Sequence, residues 1–336
     1  MKIRVGIVGA TGYTALELLR ILARHPNVDV VRITSRDAAC PALSEVHPSL
    51  HGLYELSFSP LELDEFAAEV DFAFCCLPHA ASAEVVRQLL DRNVRVIDFS
   101  ADYRLNDVAT FETWYQVTHP DPTRVGKVAY GIPELFRESL READLVANPG
   151  CFPSSALLPL VPLVRRGLIQ FDSIIVDSKT GVSGAGRKPG LKFHYPECNE
   201  SITAYSVGTH RHMPEMEQII ERATGQTTRI LFTPHLTPMD RGILSTIYVH
   251  PSAGVTAADV WQAWQEDYHD ESFVRLVNHV PATKQVAGTN FCDLHAVDVG
   301  GRIVLLSVLD NLVKGASGAA VQNFNLMAGL DERIAL

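Results

Sequence analysis

Ile3-Arg4-Val5-Gly6-Ile7-Val8-Gly9-Ala10-Thr11-Gly12-Tyr13-Thr14-Ala15 stands at the start of the chain. The apolar run Ile3–Val8 reads as a buried strand. It ends in glycines spaced three apart, Gly6, Gly9 and Gly12, with Ala15 one step further. Residues 15–24 then read as a helix, with Leu16, Leu19, Ile21 and Leu22 on its apolar face and His25-Pro26-Asn27 as its stop. A strand, a glycine turn and a helix in this order point free N–H groups of the helix at a pyrophosphate, and glycine lets the backbone approach it closely. The spacing is Gly-x-x-Gly-x-x-Gly rather than Gly-x-Gly-x-x-Gly, and the mechanics are the same. A ligand-free strand-to-helix turn is the competing reading. The flanking strand and helix fall where the motif needs them, which favours a nucleotide.

Outward from this loop, residues 28–35, 71–77 and 94–100 read as further strands, with a helix over 81–91. The continuous apolar run at 71–77 suits a strand buried on both faces. Strands alternating with helices predict an α/β fold of Rossmann type, a doubly wound parallel sheet with right-handed crossovers. At the end of the second strand stands Thr34-Ser35-Arg36 rather than an acid. A hydroxyl and a guanidinium suit a 2′-phosphate, so the expected cofactor is NADP(H), with Ser35 and Arg36 as contacts. The alternative for Arg36 is a merely solvated side chain.

The rhythm changes near residue 150. Residues 173–178, 228–234, 244–250 and 303–309 read as longer strands, and 213–223 and Ala257–Tyr268 as helices. This predicts an α+β domain with a mixed sheet covered on one face. A small-residue helix is expected over 315–330. The domains are expected at 1–150 for the nucleotide and 151–311 for catalysis and oligomerisation.

At 336 residues the chain is long enough for about two domains and needs no disulfide or metal to fold. The formal net charge of -10 disfavours nucleic acid and anionic membranes as partners. An anionic substrate then needs a local positive site. No apolar run approaches the ~20 residues of a membrane span, and the early strand leaves no room for a cleavable signal. Six cysteines occur without a Cys-x-x-Cys pair, which suits a reducing cytoplasm rather than a disulfide framework or a zinc ribbon.

One of them, Cys151, lies in Asn148-Pro149-Gly150-Cys151-Phe152-Pro153, just before a helical candidate over 154–164 whose interior is made uncertain by Pro159 and Pro162. A helix N-terminus favours thiolate over thiol. At pH 7 a thiol of pKa ~8.5 is about 3% ionised and one of ~6.5 about 75%. Lost nucleophilicity of roughly six- to tenfold leaves a gain of only about fourfold. Positioning and oxyanion stabilisation must therefore supply most of any rate. The bland fate of a free cysteine, a small buried hydrophobe, fits Cys75 and Cys76 in their apolar strand and fits Cys151 poorly.

His210 and His212 flank Arg211 and precede Met213-Pro214-Glu215, which opens a helix. The pair suits general acid/base chemistry, with structural histidines or a metal site as alternatives; no third ligand has convincing spacing. The loop from Lys179 to Lys188 joins cations, among them Arg187 and Lys188, to exposed N–H groups around Ser183 and Gly184. It suits a phosphate or the nicotinamide end of the cofactor, or is simply a surface turn. Arg104, at the carboxyl edge of the first sheet, is a candidate anion clamp or an ordinary ion pair.

Taken together, Gly9-Ala10-Thr11-Gly12-Tyr13-Thr14, Thr34-Ser35-Arg36, Leu77-Pro78-His79, Asp98 to Arg104, Tyr130 to Leu135, Asn148 to Pro153, Ser178 to Gly186, His210 to Glu215 and Asp310 to Gly318 resemble, in family order, the N-acetyl-γ-glutamyl-phosphate reductases of the aspartate-semialdehyde dehydrogenase superfamily. The resemblance runs nearly end to end. It implies NADPH-dependent reductive dephosphorylation of a small acyl phosphate, N-acetyl-γ-glutamyl phosphate, in arginine biosynthesis. It implies Cys151 as the nucleophile that forms a thioester, and His210 as the acid/base, with His212 close behind. It implies cofactor contacts at Gly9, Thr11, Gly12, Tyr13, Thr14, Ser35, Arg36, Pro78, Ser183, Gly184 and Asn311, and substrate contacts among Arg104, Arg187, Lys188 and Arg211. It also implies no metal, a C-terminal helix over 312–336 returning to the nucleotide domain, and a homodimer or homotetramer. Ala15 departs from the family's usual glycine, and Ser154-Ser155 from Thr-Ala; the first is tolerable at a helix-packing step and the second keeps a hydroxyl. A reductase of carrier-bound aminoadipyl or glutamyl phosphate, and a non-catalytic NADP-binding regulator, are the rival readings.

Overall fold

Two sheets organise the chain in this computed structural model, which describes residues 2–36 and 39–336. The chain divides into one unit of Met1–Pro149 with Ala316–Leu336 and a second of Gly150–Gly315.

The first unit holds β1 (Ile3–Val8), β2 (Val28–Thr34), β3 (Phe72–Cys75), β4 (Arg95–Asp98), β5 (Ala129–Tyr130) and β6 (Leu145–Ala147). They pair in the order β2-β1-β3-β4-β6-β5, and every pair is parallel. All four residues of β3 are buried, as a strand covered on both faces requires. From β1 the chain moves first to one side and then, at β3, to the other. Val8 pairs with both Thr34 and Cys75. The loops after β1, β2 and β3 therefore leave the sheet side by side at its carboxyl edge, where doubly wound sheets bind nucleotides. The first helix spans Tyr13–Leu22, two residues earlier at each end than the apolar pattern suggests, because Gly12 serves as its N-cap.

The run Asp98 to Arg104 builds this edge. Asp102 accepts the N–H groups of Ala80, Ser82 and Ala83 at 2.7, 3.0 and 2.9 Å, and so caps the helix Ala83–Leu90. Ser82 and Ser100 hydroxyls hold Asp98 at 2.7 and 2.6 Å. Burial, with the Asp102 charge adding to it, raises the Asp98 carboxyl to about 6.

The C-terminal segment returns to the first unit. A π-turn, Val313–Ser317, precedes the helix Gly318–Met327, whose ten residues are all buried. Several of its amides are tied to the first unit. Asn323 donates to Gly131 O and Asn148 Oδ1 at 3.0 and 3.1 Å, and Asn325 Oδ1 meets His25 Nε2 at 2.8 Å. Phe324 packs edge-on against Phe72 at 5.0 Å between ring centroids.

The second unit holds β7 (Ile174–Thr180), β8 (Thr203–Ala204), β9 (Ile230–Leu236), β10 (Ile243–Val249), β11 (Val274–Leu276), β12 (Cys292–Val299) and β13 (Arg302–Leu309). Their order is β11-β12-β13-β10-β7-β9-β8, antiparallel through β12-β13-β10-β7 and parallel at β7–β9 and β11–β12. Strand β12 has no counterpart in the sequence reading, because its polar residues Asp293, His295 and Asp298 break the apolar run. In β7 and β10 buried residues alternate with half-exposed ones, so one face is covered and the other is open in this chain. No helix among the described residues is long and apolar enough to cross a membrane.

The covered face lies under the helix Cys151–Arg165, which runs through Pro159 and Pro162 without stopping. A proline at 162 removes the N–H that the Leu158 carbonyl would accept. The Tyr268 hydroxyl supplies a donor in its place, at 2.5 Å, and Trp264 Nε1 donates to Pro159 O at 3.0 Å. Both come from the helix Ala257–Tyr268, so a distant element repairs a defect that local propensity would forbid. Toward the sheet, Ser155 Oγ donates to Ser245 Oγ at 2.7 Å, and small residues let the helix lie close. Tyr268→Phe should leave the Leu158 carbonyl buried without its donor and cost about 1–3 kcal/mol. Urea denaturation measures this, and a loss below roughly 0.5 kcal/mol would show the hydroxyl to be dispensable.

Candidate active site

Cys151 is the first residue of its helix, and Gly150 is the N-cap, with extended backbone and no side chain to cap with. The Gly150 carbonyl accepts from Ser154 N and Ser154 Oγ at 3.0 and 3.1 Å. Its N–H donates to Glu215 Oε1 at 2.9 Å. Glu215 is 1% exposed and sits in the first turn of the helix His212–Thr224, where the helix dipole favours a carboxylate. One buried oxygen thus ties the cysteine turn to the helix that carries the histidines.

The tie brings His212 against the turn. A Cβ added at Gly150 would stand 2.5 Å from His212 Nε2, so the imidazole occupies the space that only glycine leaves. His210 lies beside it, with ring centroids 4.8 Å apart. The His212 N–H donates to His210 Nδ1 at 3.1 Å, which places the proton of neutral His210 on Nε2. Phe152, Phe232 and Tyr205 present ring edges to His210 at 5.6, 5.2 and 5.6 Å. Burial in this cage, reinforced by the Arg211 charge, lowers His210 to about 4. At pH 7 only about one His210 in a thousand is protonated. The sequence reading ranks His210 first for moving protons. The structure gives it a neutral ring fixed in one tautomer, and gives His212 the place beside the cysteine turn.

Behind Cys151 lies Gly315, where an added Cβ would come 2.9 Å from Cys151 Cβ. Cys151 remains partly accessible, whereas Cys75 is buried and its thiol is pushed well up by desolvation. Tyr205 has no role in the sequence reading. It lines, with His210, Thr180, Gly184 and Lys192, a cavity of about 530 Å³. Burial, and then the Cys151 charge, keep its phenol protonated above the usual range. Its sequence signal is only an aromatic in an exposed stretch. Among the described residues no three His, Cys, Asp or Glu side chains converge as a metal site.

The cations divide. Arg187, Lys188 and Arg211 are exposed. Arg104 is 5% exposed and donates to Asn148 O and Phe99 O, both at 2.7 Å. In place of a clamp open to solvent, Arg104 supports the backbone of the cysteine motif, because two carbonyls need buried donors there. Asn311, the expected cofactor contact, is also held by protein partners. Its Oδ1 accepts from Gly242 N at 2.7 Å and its Nδ2 donates to Ser183 Oγ at 3.1 Å. Ser183 is buried and donates onward to Asp240 O at 2.6 Å, while Gly184 is exposed.

In the first unit, Gly9, Thr11, Gly12, Tyr13 and Thr14 follow β1, Ser35 and Arg36 follow β2, and Pro78 follows β3. Gly9 has φ +81, and a Cβ there would stand 2.9 Å from Cys76 O. A backbone turned this way, at the mouth of a parallel sheet and before a helix N-terminus, fits a dinucleotide phosphate.

Comparison with known proteins places these features in a family. A family model described as semialdehyde dehydrogenase, NAD binding domain, matches residues 4–143, and one described as semialdehyde dehydrogenase, dimerisation domain, matches residues 151–311. The N-acetyl-gamma-glutamyl-phosphate reductase of Rhodopirellula baltica is 53% identical over 340 residues, covering 100% of this chain and 98% of its own. That of Magnetococcus marinus is 47% identical over 338 residues, covering 99% and 97%. Among solved structures, aspartate semialdehyde dehydrogenase II from Vibrio cholerae, complexed with ASA, superposes with a TM-score of 0.74 at 17% identity, over 98% of this chain and 99% of that one. The Candida albicans aspartate semialdehyde dehydrogenase with NADP gives 0.72 at 13%, over 99% and 100%. At such identities the two structures speak for the fold alone.

The buried neutral His210 has a consequence for stability. Between about pH 6.5 and about 4 the unfolded chain binds a proton at His210 that the folded chain refuses, so stability falls as pH falls through that window. The full loss is about 3 kcal/mol, complete below pH ~4. Chemical denaturation of wild type and His210→Gln at pH 7 and pH 4.5 should show wild type losing more. Equal losses would mean that the ring is readily protonated in place.

Proposed function

We propose the following reaction for this chain, which belongs to the N-acetyl-gamma-glutamyl-phosphate reductase family of the semialdehyde dehydrogenases: NADPH-dependent reduction of N-acetyl-γ-glutamyl phosphate to N-acetylglutamate semialdehyde, with release of phosphate. The observation that carries it is Cys151 at the start of a helix, its turn held by Glu215 and faced by His212.

Cys151 thiolate attacks the acyl carbon, and phosphate leaves with the electron pair of the broken C–O bond. The result is a thioester, a better acceptor for reduction than a carboxylate. N–H groups at the start of the helix Cys151–Arg165 favour the oxyanion of this attack. His212 moves the proton, giving it to the oxyanion after reduction and taking it back as the thiohemiacetal collapses and sulfur leaves. His210 stays neutral, braces His212 through the bond to its N–H, and offers Nε2–H as a hydrogen-bond donor. Tyr205, protonated throughout the working range, is a second fixed donor in the cavity. Arg211, Arg187 and Lys188 are the exposed cations for phosphate and carboxylate. Arg104 supports the turn from the other side of Asn148.

The cofactor is held by Gly9, Thr11, Gly12, Tyr13 and Thr14 at the pyrophosphate and by Ser35 and Arg36 at the 2′-phosphate, with Pro78 alongside. When bound, NADPH supplies the hydride. Ser183 and Gly184, braced by Asn311, are assigned to the nicotinamide end.

The working form is a homo-oligomer, a dimer or tetramer, in the cytoplasm. The open face of the second sheet supports this: Leu231 is 58% exposed on it, and β7 and β10 leave every second residue half-covered.

Two experiments test the reading. Purified protein should oxidise NADPH in the presence of free N-acetylglutamyl phosphate, and Cys151→Ser should reduce the rate on the order of a thousandfold or more. Wild-type turnover confined to carrier-bound acyl phosphate would replace this substrate, and nucleotide binding without any turnover would replace the enzyme with a regulator. For the cofactor, Arg36→Ala should lower the NADPH-to-NADH preference in kcat/KM by about tenfold, as expected for one lost charged pairing. An unchanged ratio would remove Arg36 from the 2′-phosphate site.

A further inference from the structure

Asp310, at the end of β13, is fully buried, and its bonds shape the turn that follows. Its Oδ1 accepts the N–H groups of Leu312 and Val313 at 2.8 and 3.3 Å. Its Oδ2 accepts from Gly288 N at 2.7 Å and Arg241 NH1 at 3.1 Å. Its own carbonyl accepts Gly315 N at 2.9 Å. The turn so formed is the π-turn Val313–Ser317, a rare geometry that these bonds hold in place. Gly315 is the residue that this turn lays against the nucleophile. An added Cβ would lie 2.9 Å from Cys151 Cβ and 3.3 Å from Cys151 Cα, so the glycine backbone forms the wall that limits where the cysteine can sit.

Arg241 belongs to the connection between β9 and β10. The same connection takes Ser183 N on Asp240 O at 3.0 Å and gives Gly242 N to Asn311 Oδ1 at 2.7 Å. The ion pair therefore joins the β9–β10 turn to the wall behind Cys151, and backbone bonds tie the Ser183 loop to the same turn. A carboxylate buried as deeply as Asp310 depends on its cation, and losing one partner leaves an uncompensated charge.

We propose that the Arg241–Asp310 pair is a positioning device for the nucleophile: it fixes the π-turn whose Gly315 sets the place of Cys151. Neither side chain touches the reacting atoms in this scheme. The proposal rests on Cys151 being the nucleophile, a reading that Cys151→Ser tests by itself through loss of turnover.

The experiment measures kcat, KM for NADPH and acyl phosphate, thermal midpoint, and the rate of Cys151 alkylation by iodoacetamide against pH, followed by mass spectrometry of the Cys151 peptide. Arg241→Met should lower kcat about 10- to 100-fold, the scale of a misplaced reacting group, with KM for NADPH within about twofold. The pH profile of Cys151 alkylation should shift, and Arg241→Lys should recover most of kcat. A folded Arg241→Met with unchanged kcat and alkylation profile would overturn the proposal, as would a kcat loss that only tracks the folded fraction. If Arg241→Met does not fold, Gly315→Ala decides, because it crowds Cys151 directly and leaves the ion pair intact. A folded Gly315→Ala with wild-type kcat and alkylation profile overturns the proposal. A lowered kcat with a shifted profile supports it.

Discussion

A single hydrogen bond, from the Gly150 N–H to the buried Glu215 carboxylate, underlies the geometry of the site. It joins the first turns of two helices that are far apart in sequence. On one side it fixes the N-cap of the helix that starts at Cys151; on the other it fixes the turn that starts at His212. A carboxylate removed from water is expensive unless it is both hydrogen-bonded and placed in a favourable field. The backbone N–H and the N-terminal dipole of its own helix supply both. Because Gly150 has no side chain, the His212 ring can rest on it, and the distance between sulfur turn and imidazole is set by backbone rather than by flexible side chains.

The same principle recurs through both units: charged groups that look available for ligands are committed to backbone. Asp102 caps a helix, Arg104 serves two carbonyls, and Asp310 shapes a turn. A surface charge would gain little from such bonds. A buried one gains more and also rigidifies the chain around it, so the backbone of the cysteine turn is held in one place. The exposed cations, Arg187, Lys188 and Arg211, lie on loops, where ligand contacts are tolerated.

Packing also overrides local preference in the cysteine helix. Two prolines inside a fifteen-residue helix would break it in isolation. Tyr268 gives the Leu158 carbonyl, whose helical donor Pro162 removes, a new one, Trp264 adds a bond to Pro159 O, and a row of serines seats the helix on the sheet. His210 shows the reverse case, in which packing changes chemistry. Its aromatic cage removes the charge that an exposed histidine would carry near neutral pH, and leaves it a neutral ring with its tautomer fixed beside His212.

The sequence by itself determined the parallel sheet, the glycine turn before the first helix and the change of architecture near residue 150, because each depends on periodicity or spacing among residues close in the chain; the family came from the resemblance of whole runs of residues in order. It also marked Cys151, His210 and His212 as chemically suitable, since their types and turn residues are visible locally. Only the tertiary structure decided what each side chain meets. The partner of Gly150 is 65 residues away, that of Asn148 168 away and that of Asn311 69 away. Strand β12, Tyr205, Gly315 and the supporting parts played by Arg104 and Asn311 were invisible for the same reason. A side chain's role depends on its neighbours in space, on burial and on field, and no local pattern carries these.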